Sequence, residues 1–404
     1  MSLPVAVTGL GLVTPAGIGV EESWRVIREG RGTQAAEVPE LKTATTRTAC
    51  RVPGFDGAEL LGMRRAHRLD LFSQFALVAV REALADAGLD PESWDGTRVA
   101  VVMGNSTGGL ASLSDAHEAF AQDGPRAVPP LLLPLYLPNM AAGQVAIEFH
   151  ALGPCLAVST ACASGATALG TARDLLLAGR CDIAIAGGTE APLTPLCVSG
   201  FANLGALASA PDPSTSSRPF DVTRDGFVIA EGAGVVVLER EADARARGGR
   251  VRALLAGYGA SADAHHPTSP HPEGRGLALA LRGALADAGL SGSDIDHVNA
   301  HGTGTPRGDA AEAAVLREVV GQPVVTSVKG VTGHALAAAG AIEAVCTVLS
   351  VETGEVPPTA NLTELDPRMD IDVPRTVVRR PVRAAISTSI GFGGQNAALV
   401  MTSA

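Results

Sequence analysis

The sequence predicts an α/β protein made of two similar halves, and three observations carry that prediction. Short β-rich runs alternate with Ala/Leu-rich helical runs along the chain, the pattern that layers helices against sheets. The segment Ala83-Leu84-Ala85-Asp86-Ala87-Gly88-Leu89 recurs letter for letter as Ala284-Leu285-Ala286-Asp287-Ala288-Gly289-Leu290, about half the chain away. Finally, the 404 residues are 46% hydrophobic but only 3% aromatic, so a large core must be built from Ala, Val, Leu and Ile.

Taken in order, Val5–Thr8 reads as a buried strand, followed by a loop through Gly9-Leu10-Gly11-Leu12-Val13-Thr14. That loop is a partial dinucleotide-binding match without its final glycine, and it is set aside. Leu71–Ala87 is a helix capped by Gly88, and Val99–Met103 is a strand that runs into the loop Gly104–Gly109. Ala163–Ala178 is a helix, while Ile183–Ala186 and Gly234–Leu238 are strands. The polar, Gly-rich stretch Glu241–Arg250 joins the two units, residues 1–241 and 250–404. The second unit repeats the plan with a helix over Arg275–Ala288 capped by Gly289, the loop His301–Thr305, a helix over Ala335–Leu349 and a strand over Ala384–Ser387.

Charge and composition narrow the function. With 31 Lys+Arg against 42 Asp+Glu the net charge is −11, which excludes a general nucleic-acid binder. The N-terminal residues lack a basic leader region. The most apolar run, Val128–Pro138, is too short to span a membrane and carries four prolines, so no membrane segment is expected. Six cysteines without CxxC spacing give no support to a metal site or disulfide framework, and the expected location is the cytoplasm.

Three segments carry chemistry. In Val158-Ser159-Thr160-Ala161-Cys162-Ala163-Ser164-Gly165 a strand-like run ends in small residues and Cys162 stands where a helix begins. Free N–H groups and the helix dipole at that point predict a lowered thiol pKa and a nucleophilic sulfur on a sharp turn. The other five cysteines read as small buried hydrophobes. His301 opens the small, hydroxylated loop His301-Gly302-Thr303-Gly304-Thr305, and His334 follows Ser327-Val328-Lys329-Gly330-Val331-Thr332-Gly333. His334 is expected at the helix start that matches Cys162 in the first half, so that duplication brings sulfur and imidazole together. Lys329, in an apolar stretch, is expected to be a buried cation paired with Glu343 or Glu312. Gly391-Phe392-Gly393-Gly394 by itself reads as a tight turn before the last strand.

Together, Cys162 within Ser-Thr-Ala-Cys-Ala-Ser-Gly, His301 within Asn-Ala-His-Gly-Thr-Gly-Thr, Lys329, His334 within Gly-His-Ala-Leu-Ala-Ala-Ala-Gly and the Gly391–Gly394 turn resemble the β-ketoacyl-acyl-carrier-protein synthases of the thiolase superfamily. The run from Arg218-Pro219-Phe220-Asp221 to Gly234 is also similar to that family. The resemblance covers nearly the whole chain. It implies a thiolase-like, duplicated five-layer α-β-α-β-α fold and a dimer, either of identical chains or with a cysteine-less chain-length-factor paralogue.

It also implies decarboxylative condensation of a Cys162-bound acyl chain with malonyl-carrier protein, in fatty-acid or type II polyketide synthesis. No cofactor is held permanently, and phosphopantetheine arrives on the acyl carrier protein. His301 and His334 would hold the enolate, the N–H groups of Cys162 and Phe392 the acyl oxyanion, and Lys329 would order His334. Thr268, Thr303 and Thr305 would bind the pantetheine arm. Thr107 and Leu132 would shape the acyl pocket, and Arg64, Arg68 and Arg126 would dock the carrier. Cys-His-His separates such elongating enzymes from Cys-His-Asn initiators and from thiolases with a second Cys. Retention of Cys162 and both histidines argues against a partner-stabilising subunit and against a non-decarboxylating acyltransferase. Against the usual pattern, Gly205 replaces a docking Arg, and Thr388 and Ile390 replace Asn and Phe.

Overall fold

The computed structural model describes residues 4–404. The first half contributes β1 (Val5–Thr14), β2 (Val99–Gly104), β3 (Cys155–Val158), β4 (Ile183–Glu190) and β5 (Gly232–Arg240), arranged β3-β2-β4-β5-β1. The second half contributes β6 (Ala253–Ala262), β7 (His297–Asn299), β8 (Val324–Thr326), β9 (Ala384–Gly391) and β10 (Gln395–Thr402), arranged β8-β7-β9-β10-β6. The two orders are the same with five added to each strand. In both, the three strands at one end run parallel and the fourth is antiparallel to its neighbour. The halves join where β1 meets β6 at Ala6–Leu254 and Val7–Ala253.

Six helices complete the layers: α1 (Leu71–Ala87), α2 (Met140–Glu148), α3 (Ser164–Leu177), α4 (Arg275–Ala288), α5 (Pro306–Val319) and α6 (Ala339–Thr353). α1 and α2 cover the outer face of the first half-sheet, and α4 and α5 cover that of the second. α3 and α6 share one core with the inner faces of both half-sheets, which makes five layers. α6 is all but fully buried, as its mostly apolar sequence requires, and its one buried charge, Glu343, is paired with Lys329. Leu336–Thr353 is therefore long and apolar enough to cross a membrane, contrary to the expectation of no such stretch, but it is a core helix here.

The duplication extends to individual atoms. A Cβ on Gly9 would lie 2.0 Å from the Ala83 carbonyl oxygen, and one on Gly257 would lie 2.2 Å from that of Ala284. Gly11 and Gly259 meet Ala79 and Ala280 in the same way, at 1.9 and 2.0 Å. Asp86 accepts from the Leu10 N–H and Asp287 from the Tyr258 N–H, both at 2.9 Å. The Gly-x-Gly motif is therefore strand, not the loop expected after Thr8: its glycines let a helix lie directly on the sheet.

Gly165 and Gly340, each the second residue of its helix, allow α3 and α6 to cross near their N-termini; a Cβ at either would come within 3 Å of the other helix's segment. The crossing brings the two helix starts together. Ala161 (φ 48°) and Leu336 (φ 47°) hold the same left-handed conformation three residues before their helices. Ala337 is thus the counterpart of Cys162, and His334 lies three residues earlier than the matching position predicted for it.

Candidate active site

Cys162 follows the strained residue Ala161 in the turn between β3 and α3. The Ser164 hydroxyl pins that turn by accepting from the Thr160 N–H (2.9 Å) and donating to the Ala161 carbonyl (2.6 Å). A Cβ on Gly391 would meet the Thr160 carbonyl oxygen at 2.5 Å, so the turn after β9 must pass over this elbow as glycine. The N–H groups of Phe392 and of Cys162 itself face the sulfur.

The thiol is not the lowered-pKa group expected from its position. Burial pushes it up to about 12; the Lys329 charge and the two N–H groups oppose this, and the Glu190 carboxylate adds to it. Cys162 is only 9% exposed and lies two residues before the first helical residue, so loss of hydration outweighs the helix dipole.

The imidazoles of His301 and His334 stand with ring centres 5.2 Å apart and planes at 87°. Both are held well below the ordinary histidine range, first by burial and then by the Lys329 charge, so both are neutral near pH 7. His301 lies two residues beyond the end of β7, where the buried Glu312 accepts from its N–H and that of Gly302, each at 2.8 Å. Thr388 donates to Glu312 at 2.6 Å and accepts from the His301 N–H at 3.0 Å, which gives its departure from the usual Asn a local function. His334 is fixed through its backbone to Val228 and Ala230, and its ring packs edge-on against Phe227.

Lys329 pairs with Glu343, not Glu312, and burial has raised the Glu343 carboxyl to about 7. The ammonium also donates to the His301 carbonyl at 2.6 Å and lies 3.4 Å from His301 Nδ1. The direct contacts of Lys329 are thus with His301, while its charge also reaches His334, the residue it was expected to order.

A cavity of about 460 Å³ opens onto these groups, lined by Cys162, His301, His334 and Phe392 together with Thr268, Thr303 and Thr305. The Thr303 and Thr305 hydroxyls lie 3.0 Å apart, and the Thr268 N–H donates to His266 Nδ1. Thr107 and Leu132 do not line this cavity. The Thr107 hydroxyl is committed to the buried carboxylate of Glu190 (2.7 Å), which also takes the Ser106 hydroxyl and the Asn105 amide. Leu132 begins a short half-buried helix, Leu132–Tyr136. Arg64 and Arg68 share a separate surface cleft with Met63 and Leu131, which Arg126 does not line.

Glu190 was not predicted. It ends β4 and also meets the Ala337 N–H (3.3 Å), tying the Asn105–Thr107 loop to the segment that carries His334; a single acidic residue after Gly-Gly-Thr gives no sequence signal for this. Among the described residues no three His, Cys, Asp or Glu side chains converge as a metal site.

A strained cysteine turn facing two neutral imidazoles, on a duplicated thiolase-like fold, defines an acyltransferase that works through a thioester. Residues 2–244 match the family described as "Beta-ketoacyl synthase, N-terminal domain" and residues 252–363 its C-terminal domain. The chain is 42% identical over 404 residues to 3-oxoacyl-[acyl-carrier-protein] synthase 2 of Vibrio harveyi, covering 98% of this chain and 97% of that protein. It is 38% identical over 405 residues to the Staphylococcus aureus (strain MRSA252) protein of the same name, with 99% and 98% covered. Among solved structures, the ishigamide ketosynthase/chain length factor superposes with a TM-score of 0.94 at 34% identity, all of both chains being covered. A type II PKS acyl-carrier protein in complex with its ketosynthase gives 0.89 at 33% identity, again over all of both chains. The chain belongs to the β-ketoacyl synthase family.

Proposed function

We propose that the protein elongates acyl chains carried on an acyl carrier protein by decarboxylative condensation with malonyl-carrier protein. The observation that carries this reading is the pair of neutral imidazoles beside Cys162. A neutral ring can place an N–H on the oxygen of a forming enolate without first losing a proton, and two such donors fit one thioester oxygen.

In the first half-reaction the Cys162 sulfur attacks the thioester delivered by the carrier. The new S–C bond replaces the pantetheine S–C bond, and the thiol proton leaves with the pantetheine sulfur. The N–H groups of Cys162 and Phe392 hold the tetrahedral oxyanion. In the second, the malonyl C–C bond to the carboxylate breaks, CO₂ departs and its electron pair enters an enolate held by His301 and His334. The enolate carbon attacks the acyl carbon on Cys162, the S–C bond breaks and the sulfur regains a proton. Each of these donors is worth about 3 kcal/mol, since loss of one costs ~10²–10³ in rate. Thr268, Thr303 and Thr305 place the pantetheine arm, and Arg64 and Arg68 offer the carrier a basic patch on an acidic protein.

Intact-mass analysis after incubation with acyl-carrier protein tests the reading, with acylation expected on Cys162 and condensation following addition of malonyl-carrier protein. Full condensation by Cys162→Ala overturns it. Assays run with carriers of the fatty-acid and type II polyketide kinds, alone and with any co-encoded homologue, assign the pathway.

A further inference from the structure

The catalytic cavity has a buried end and an exposed rim. Cys162, His301 and His334 are each no more than 9% exposed, whereas Leu204, Gly205, Asp225 and Arg307 line the same cavity as exposed residues. Arg307 is the one Lys or Arg among the lining residues, and among the described residues it enters no ion pair. Its own helix supplies no partner: three and four residues on, on the same face of α5, stand Ala310 and Ala311. Some exposed arginines find carboxylates, as Arg25 does with Glu22 and Glu29, or Arg282 with Glu318, whereas Arg64 and Arg68 on another face resemble Arg307 in having none among the described residues. The acidic group on the rim, Asp225, is already engaged by the N–H and hydroxyl of Ser209.

In the same cavity lining, Gly205 stands where an arginine is expected. It follows the helix Pro195–Asn203 with φ 69°, a left-handed conformation that glycine adopts freely and arginine does not. Arg307 is instead the cation that lines this cavity. Thr268, Thr303 and Thr305 line the same cavity, and such hydroxyl-bearing residues suit an amide-bearing arm and leave the rim to meet its charged end.

We infer that Arg307 is a specificity-determining residue that binds the phosphodiester of the incoming phosphopantetheine arm at the cavity mouth, an inference that rests on the carrier-dependent condensation proposed above. A guanidinium offers paired N–H donors that match two phosphate oxygens, which a point-charge ammonium does not.

The test compares two acyl donors that differ only in a phosphate, an acyl-phosphopantetheine thioester, whose phosphomonoester stands in for the carrier-linked phosphodiester, and the corresponding acyl-pantetheine thioester, with acylation of Cys162 followed by intact mass. The wild-type protein is expected to favour the phosphorylated donor by about tenfold in kcat/KM, mostly through KM, and to lose that preference as salt is raised. Arg307→Ala should bring the ratio of the two donors close to one, and Arg307→Lys should keep part of it. No phosphate preference in the wild type, or an unchanged preference in Arg307→Ala, overturns the inference. So does a defect of Arg307→Ala that appears with intact carrier protein but not with the free thioesters, which places the contact on the carrier's surface. Failure of both donors to acylate wild-type Cys162 overturns the reading of the site itself.

Discussion

The Nζ of Lys329 lies 3.4 Å from Nδ1 of His301 and donates to the carbonyl of that same residue at 2.6 Å. An ammonium only donates, so Nδ1 must accept and the ring proton belongs on Nε2. The lysine thus sets the tautomer that an enolate-stabilising donor requires, while Glu343 neutralises its charge in the core.

Lys329→Met keeps most of the side-chain volume and removes the ammonium. Cys162 should still be acylated, but release of CO₂ from malonyl-carrier protein should fall by about 10²-fold, the cost of one misdirected donor. The unpaired Glu343, already raised to about 7, should take up a proton and soften the stability loss below the usual 3–5 kcal/mol for a broken buried pair. Equal losses in acylation and CO₂ release would instead mean a general collapse of the site.

A thiol held near 12 is slow toward reagents that need thiolate. Alkylation of Cys162 by iodoacetamide, followed by intact mass, should rise about tenfold per pH unit from pH 7 to 10 without levelling off, because the thiolate fraction grows tenfold per unit below the pKa. A plateau near pH 7 would restore the low-pKa nucleophile that the helix start alone suggested.

How far the sequence could be read depended on whether the signal was local. The helices Leu71–Ala87 and Arg275–Ala288 have the boundaries their periodicity and capping glycines predicted. The strands run on past those readings, β1 to Thr14 and β4 to Glu190, because their glycines accommodate close neighbours that only the folded chain supplies. Cys162, His301 and His334 were visible through their small-residue contexts. The protonation of Cys162, the choice of His301 by Lys329 and the commitment of Thr107 to Glu190 are consequences of burial and tertiary placement. No spacing along the chain encodes them.

Gly9 and Gly257 give the duplication an energetic test. Each would drive a Cβ to within about 2 Å of a helical carbonyl, from Ala83 and Ala284, a contact relieved only by lifting α1 or α4 off its sheet. Gly9→Ala and Gly257→Ala should each lower the urea-unfolding free energy by 1–3 kcal/mol or more, the usual cost of overpacking, and by similar amounts. Gly248→Ala, with nothing near its Cβ, controls for the composition change; its φ of 73° predicts a smaller loss, from backbone strain alone.

Arg64 and Arg68 are exposed, share one cleft and have no carboxylate partner among the described residues, whereas Arg65 between them is taken by Glu148. If an acidic carrier docks there, Arg64→Glu with Arg68→Glu should raise the KM for carrier-bound substrate about tenfold or more at low salt, leave kcat nearly unchanged and converge with wild type at high salt. An unchanged KM would remove this patch from the docking surface.

The buried thiols also fix how stability changes in alkali. Burial raises Cys50, Cys162, Cys181, Cys197 and Cys346 well above the ordinary cysteine value, whereas in the unfolded chain they ionise near 8.5. Above that pH the unfolded state has lost protons that the folded state keeps, so it binds fewer protons and stability must fall as pH rises. Each thiol contributes about 1.4 kcal/mol per pH unit once its unfolded form is fully ionised, so five together approach about 7 kcal/mol per unit. Urea midpoints should therefore be flat for these groups below pH 8 and drop steeply between pH 8.5 and 10. Cys346→Ala should flatten that drop by about a fifth, whatever it costs at pH 7, because it removes one of five titrating groups from the unfolded chain. A midpoint that does not move between pH 7.5 and 10 would mean that the thiols are hydrated in the folded protein, and the high pKa of Cys162 would fall with that result.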